Sequence, residues 1–375
     1  MNTGIAILAI LRESWLTLRA EKLFKLVLGL NMLVIVAYLS VGFDDTGVSL
    51  FFGLTHVDSE YIRSGTPFAR TLYLGIYSAF IVNLWLAWAA SILALISTSS
   101  IFPSFLKEGA VELVMSRPTG RTTIFFVKYI GGLLFVAVQV GIFTLGAFIA
   151  AGWRVDVWDP AIFLAIPLVT LFYSYLFCVN VLVGVITRST LTALLATLLF
   201  WFSTFSIHNT DKILTENVIR FQTSATRAEK RVAELEAERD AATAAGQTKE
   251  AEDASHWLQG PQQKAEQAQA AVDQLLPWET VMGLIQAIMP ETDRTIGLLH
   301  RMLERDADLS MQDLMSGRAF EKDEDHVVPD EMEAAQIEMV DRENEVPGWW
   351  IISKSVVFEF IILGIALWIF RRRDF

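Results

Sequence analysis

The chain has 375 residues, 53% of them hydrophobic and only 19% charged, with a formal net charge of -12. An ordinary soluble domain carries about 25% charged residues, so the composition argues against a soluble globular protein and for a membrane protein. The charge is unevenly spread: residues 208–347 hold 30 acidic and 14 basic side chains, net -16, which leaves the remaining chain at +4.

In chain order, the first stretch, IAILAILRESWLTLRAEK, has Ile7, Leu8, Leu11, Trp15 and Leu18 at helical spacing. Arg12, Glu13 and Arg19 lie between them. A basic helix with a tryptophan on its apolar face can lie flat on a leaflet, so residues 1–22 read as an interfacial entry helix; a continuous extension of the first span is the alternative. Neither a basic n-region nor a small-residue cleavage site is present, so no cleaved signal peptide is expected.

A helix needs about 20 apolar residues to cross roughly 30 Å of hydrocarbon. Six stretches qualify, at about 23–42, 72–98, 124–150, 161–187, 190–207 and 348–370. Lys/Arg bias gives the orientation. With both termini on one side, that side holds Arg12, Arg19, Lys22, Lys25, Lys107, Arg117, Arg121, Lys128, Arg188 and Arg371 to Arg373. The short loops 43–71 and 151–160 hold Arg63, Arg70 and Arg154 against six acids. The termini and the 99–123 loop are therefore expected in the cytoplasm and the 208–347 insertion outside. Trp153, Trp158 and the Trp349-Trp350 pair mark the outer interface.

The cytoplasmic loop 99–123 is unusually polar. Residues 104–117 are expected to form a short helix capped by Ser104, stopped by Pro118 and turned by Thr119-Gly120. Glu108 and Glu112 lie one turn apart, where like charges repel by a few tenths of a kcal/mol; an outside partner carrying positive charge would account for them. Arg117 and Arg121 serving only as topology anchors is the competing reading.

In the insertion, Leu214, Val218, Phe221, Ala225, Ala228, Val232, Leu235, Arg239 and Ala242 alternate spacings of four and three. Ala251, Ala254, Leu258, Pro261, Ala265, Ala268, Val272 and Leu275 repeat the pattern. This predicts an antiparallel coiled-coil hairpin with Gly246 near its tip, kinked or interrupted at Gly260-Pro261. WETVMGLIQAIMPE (278–291) is too short to span and reads as an interfacial or re-entrant helix, with the hydrophobic floor of the outer domain as the alternative. Helices are expected near 293–305 and 311–316, the latter opened by Ser310-x-x-Asp313, and an acidic tether over 321–346.

Within the spans, Lys354 is expected to snorkel to the outer interface and Glu359 to pair with a neighbouring helix, since an ionisable group at that depth is costly. Asn83, Gln139 and Asn180 read as interhelical glue, and Gly146/Ala150 and Ala147/Ala151 as a close-packing face. The lone cysteine, Cys178, excludes an intramolecular disulfide and a cysteine-based metal site. His56, His208, His256, His300 and His326 lack ligand spacing and read as isolated surface residues, so no metal site is expected. There is no GxxxxGK[ST] loop.

The polar loop EGAVELVMSRPTGRTTIFFVK (108–128) resembles the segment between the second and third spans of type-2 ABC exporter permeases (the ABC-2 type family). In that family an acidic residue and glycine precede a run ending in Ser-x-Pro-x-x-Arg, followed by a lysine at the start of the next helix. The matching positions are Glu108, Gly109, Glu112, Ser116, Pro118, Arg121 and Lys128, with Arg117 inside the motif. LRESWLTLRAEKLF is similar to the family's entry helix at Arg12, Glu13 and Arg19. The likeness covers roughly 1–207 and 348–375; the 208–347 insertion departs from it.

The resemblance implies a permease dimer, of identical or different chains, in a bacterial cytoplasmic (inner) membrane. Each chain would rest on a separate ATP-binding cassette ATPase that holds ATP and magnesium, with the 104–117 helix docked in it as the coupling element. No cofactor, catalytic residue or nucleic-acid partner is expected in this chain; the insertion would offer a surface to an extracytoplasmic protein. The expected fold is all-α: a cytoplasmic interfacial helix (1–22), spans one to five (23–207), an extracytoplasmic coiled-coil domain (208–347), and a sixth span with a basic tail (348–375). A membrane scaffold or sensor acting through the coiled coil is the alternative function.

Overall fold

The computed structural model describes residues 22–59, 62–106, 120–304 and 345–372, together with 338 and 342. The interfacial stretch with Arg12, Glu13, Trp15 and Arg19 lies outside the described residues. So do Glu108, Gly109, Glu112, Ser116, Arg117 and Pro118, the helix expected at 311–316 and most of the acidic tether.

The helices are α1 (Lys22–Leu39), α2 (Pro67–Phe105), α3 (Arg121–Val155), α4 (Ala165–Thr187, entered through a 3-10 turn Pro160–Leu164), α5 (Thr190–Ala244), α6 (Thr248–Ile288), α7 (Thr292–Glu304) and α8 (Gly348–Arg372). Among the described residues five are long and apolar enough to cross a membrane: α2, α3, α4 with its entry turn, α5 and α8. The first expected span is α1, whose apolar stretch Phe24–Leu39 is shorter. The chain divides into two compact units: Met1–Ser203, Pro290–Lys322 and Gly348–Phe375 form one, Thr204–Met289 and Asp323–Pro347 the other.

The helix boundaries follow from local chemistry. Thr66 caps α2 by accepting from the Ala69 N–H at 3.3 Å, with Pro67 in the first turn, and Asp159 does the same for Ala161 at 2.8 Å, ahead of Pro160. Such caps satisfy amides that a helix start leaves unpaired, and proline has none to lose there. At the other ends α3 and α4 stop where Asp156 and Arg188 take left-handed backbone conformations (φ 54° and 53°).

In the membrane unit the packing depends on small residues, as expected where lipid supplies little hydrophobic drive. A Cβ on Gly132 of α3 would lie 2.7 Å from the Phe177 ring of α4, and one on Gly146 would lie 2.7 Å from Ile35 of α1. Ala147, Ala150 and Ala151 are fully buried beside it, as the small-residue pattern predicts. Tyr38 and Tyr73 clasp α1 to α2: their rings stack at 4.2 Å, and each hydroxyl donates to the other's backbone carbonyl at 3.0 and 3.2 Å. Side chains such as Leu33, Val36, Leu84, Phe202 and Phe360 stay exposed on the same helices, the arrangement of a bundle whose outer surface meets lipid.

Two features depart from the expected regular all-α fold. From Ile76 to Ala90, α2 is wound as a π-helix, a form that is rare and short in most proteins. The loop after α1 also folds into an antiparallel sheet of three strands, β1 (Gly42–Phe43), β2 (Gly47–Leu50) and β3 (Thr55–Asp58), in the register Phe43↔Val48, Val48↔Val57 and Leu50↔Thr55. Asp44 sets its first turn by accepting from the Thr46 N–H (2.9 Å), the Thr46 hydroxyl (2.8 Å) and the Gly47 N–H (3.0 Å). Gly47, at φ 157°, passes so close that a Cβ would lie 2.2 Å from the Val57 carbonyl oxygen.

In the second unit, α5 and α6 are joined by a turn in which Gly246 has φ 75°, the Gly246 N–H donates to Thr243 and the Gln247 N–H to Ala242. This left-handed glycine termination satisfies the last carbonyls of a helix. Val218, Ala225, Ala228, Leu235, Ala242, Ala254, Leu258, Ala268 and Val272 are buried, and each is a position of the 4-3 pattern; Ile219 is buried as well. Leu235, Ala242 and Ala254 line a shared cleft of about 770 Å³ beside the turn. Contrary to expectation, α6 is not interrupted at Gly260-Pro261: it runs through both Pro261 and Pro277. The 278–288 stretch forms its last turns and exposes Trp278, Leu284 and Ile288.

Candidate functional site

Arg121 and Lys128, the two residues of the motif inside the described chain, lie where three spans meet. Arg121 opens α3. A cation at a helix start meets the unfavourable end of the helix dipole, but its guanidinium reaches the far end of α8 and donates to the Arg371 carbonyl oxygen at 3.0 Å. It thereby satisfies one of the carbonyls that a helix end leaves open. Lys128, two turns on, places its ammonium 4.6 Å from the Phe105 ring centroid, a cation–π contact with the end of α2.

An aromatic cluster holds these ends together. Phe102 of α2 packs on Phe125 of α3 at 5.2 Å, and Phe370 of α8 lies 5.6 Å from Phe125 and 6.4 Å from Phe105. Both attachment points of the 107–119 segment are thus fastened to the last span. Pro103 and Ser104 belong to the final turn of α2 (Ile101–Phe105) and pack there, Pro103 against Gly184 of α4. The Ser104 hydroxyl donates back to the Ser100 carbonyl; the helix expected to follow it lies, from residue 107 on, outside the described residues. The sequence reading missed the phenylalanines; their signal was recurrence at the ends of three separate apolar stretches.

Glu359 of α8 is held by two neutral hydroxyls on two other spans. The Tyr129 hydroxyl of α3 donates to one carboxylate oxygen at 2.7 Å and the Ser174 hydroxyl of α4 to the other at 2.8 Å. The Tyr129 ring is fixed by stacking on Phe177 at 5.3 Å. This is the interhelical pairing expected of Glu359, but the partners are tyrosine and serine, residue types too common in spans to be singled out from sequence.

Lys354 has a partner that the sequence did not suggest. It pairs with Glu291, whose side chain is 4% exposed against 20% for the lysine. Arg294 approaches the same carboxylate at 3.6 Å, and the Glu291 N–H donates to the Ser355 hydroxyl at 2.8 Å. Behind Glu291, α7 packs in the membrane unit, with Ile296, Leu299 and Leu303 buried and the Ser78 hydroxyl 2.9 Å from His300 Nδ1.

Other expectations need correction. Asn83 is exposed rather than serving as interhelical glue. Gln139 and Asn180 are buried, yet their amide nitrogens find no acceptor among the described residues; an asparagine that does tie two helices is Asn31, whose Oδ1 accepts from the Trp85 indole at 2.8 Å. The histidines are not uniformly isolated surface residues: His208 is buried with Nδ1 2.8 Å from the Thr204 carbonyl oxygen, and His56 lies between Asp44 (3.2 Å) and Asp58 (3.1 Å).

Comparison with protein-family models, with curated proteins and with solved structures finds no match to this chain.

Proposed function

We propose that the chain is the membrane-spanning permease subunit of an ATP-binding cassette transporter of the ABC-2 type, working as an exporter and energised by a separate ATPase. The observation that carries this reading is the fastening of both ends of the 107–119 segment, through Arg121, Phe105, Phe125 and Phe370, to the second, third and last spans. A partner that pushes on a segment so mounted acts on three spans at once, which is what coupling hydrolysis to transport requires: differential contact with two states of the permease. The arrangement of basic ends supports a cytoplasmic position for this loop: Arg121, Lys128, Arg371 and Arg372 belong to the same end of the bundle.

In this reading six helices cross a bacterial inner membrane, with the 23–42 stretch that contains α1 as the first. The α5–α6 hairpin is an extracytoplasmic coiled coil, two permease chains form the dimer, and ATP and magnesium sit on the partner. The test is co-purification of the full-length chain with a co-expressed Walker-type ATPase of the same cell. Glu112→Arg should abolish association while membrane insertion persists; undiminished association would overturn the assigned docking site. Labelling of a cysteine placed at Arg117 in sealed cells should require permeabilisation, and labelling without it would overturn the orientation.

A further inference from the structure

The loop between α1 and α2 carries a sheet whose two ends differ in chemistry. At one end stand Asp44, Asp45 and Asp58, around the first turn. At the other, the β2–β3 connection presents Phe51, Phe52 and Leu54, which are 63%, 64% and 87% exposed. Four ladder pairs separate the ends, about 10 Å at the rise of a strand.

The apolar end is fastened to the ends of two membrane helices, while at the other end Phe43 packs edge-on against Tyr73 at 6.0 Å. The Phe52 N–H donates to the Ser40 carbonyl oxygen at 3.1 Å, one residue past the end of α1. Arg154, near the end of α3, donates to the Leu39 carbonyl oxygen at 2.7 Å and holds its guanidinium 5.5 Å from the Phe52 ring centroid. These contacts fix the turn at the level where both spans end. On the same two helices Leu33 and Val36 of α1 and Leu145 and Ile149 of α3 are exposed, and Trp153, the residue before Arg154, is 78% exposed. Phe51 and Phe52 both have positive φ (53° and 59°). Two consecutive bulky residues in that region cost backbone energy, and here the strain turns both rings outward from the end of α1.

We propose that the 51–54 turn is a lipid anchor: Phe51, Phe52 and Leu54 insert into the headgroup–acyl boundary of the leaflet at this end of the bundle, with Arg154 poised toward lipid phosphates and the acidic end of the sheet held in water. Aromatic side chains at the ends of spans favour that depth, and a small apolar surface joined to charged groups is what binds an interface without spanning it. Lipid rather than a second copy of the chain is taken as the occupant because the turn is fastened to the ends of two apolar helices, through Ser40 and Arg154.

The test uses the full-length chain in phosphatidylcholine nanodiscs, with Cys178→Ala removing the native thiol. Spin labels are placed singly at Phe52→Cys, Leu54→Cys, Leu33→Cys and Asp58→Cys, and collision with oxygen is compared with collision with a water-soluble nickel chelate. Labels at 52 and 54 should favour oxygen, as at 33, while the label at 58 favours nickel. Labels at 52 and 54 that behave like 58 overturn the proposal. Labels shielded from both reagents, with dipolar broadening between copies, overturn it in favour of self-association. A label at 33 that favours nickel would instead refute the membrane placement of the bundle.

Discussion

Glu291 and Lys354, 63 residues apart in sequence, meet as a buried ion pair that ties α7 to the start of the last span. Removing Glu291 leaves the part-buried Lys354 without its carboxylate, whereas removing Lys354 leaves Glu291 with Arg294 still 3.6 Å away; breaking a buried pair costs about 3–5 kcal/mol, and replacing both members with apolar residues of similar volume is often neutral. Glu291→Ala should therefore lower the thermal midpoint of the solubilised chain more than Lys354→Ala, and Glu291→Leu with Lys354→Met should recover most of the loss.

Tyr129→Phe deletes one of the two hydroxyls that hold Glu359. Leaving a buried acceptor short of its donor costs about 1–3 kcal/mol, more for charged groups. The loss should be smaller in a Glu359→Leu background, where no carboxylate remains. A double-mutant cycle by denaturant titration in mixed micelles measures that coupling.

Gly132→Ala and Gly146→Ala insert a methyl group 2.7 Å from Phe177 and Ile35 respectively. Overpacking of this kind costs about 1–3 kcal/mol. Gly29→Ala, where nothing lies within 4 Å, should not destabilise the chain. Comparison of the three midpoints separates steric crowding from a general effect on helix propensity.

Asp44 predicts an acid response of the sheet. The Thr46 hydroxyl first, then the Thr46 and Gly47 amides and His56, hold its carboxyl below the usual carboxylate range. A lowered folded-state value stabilises the turn above the unfolded-state pKa, about 4 for aspartate, and that contribution is lost as pH falls through the folded-state value. Hydrogen exchange at Thr46 and Gly47, corrected for intrinsic rates, should show protection that fades below about pH 4. In Asp44→Asn the protection should no longer depend on pH over that range.

What could be read from the sequence was whatever repeats locally. The 4-3 spacing from Val218 to Val272 identified the buried positions of α5 and α6 because a helix face is set by neighbours three and four residues away. The small residues around Gly146 were legible for the same reason. The partners of Lys354 and Glu359 were not, since Glu291, Tyr129 and Ser174 lie 63, 230 and 185 residues away in sequence and only the fold brings them close. The sheet escaped because its strands are two to four residues long, too short for alternation to register. Gly260-Pro261 was expected to kink or interrupt the second arm; the interruption does not occur, since α6 continues through it.

The reciprocal bonds between Tyr38 and Tyr73 bear on how the bundle can rearrange. Shear between packed helices needs side chains that can exchange neighbours in small steps. Here one step along the axis would forfeit two hydrogen bonds and a ring stack together. The first two helices therefore travel as one strut, and relative sliding during any working cycle has to fall at other seams of the bundle.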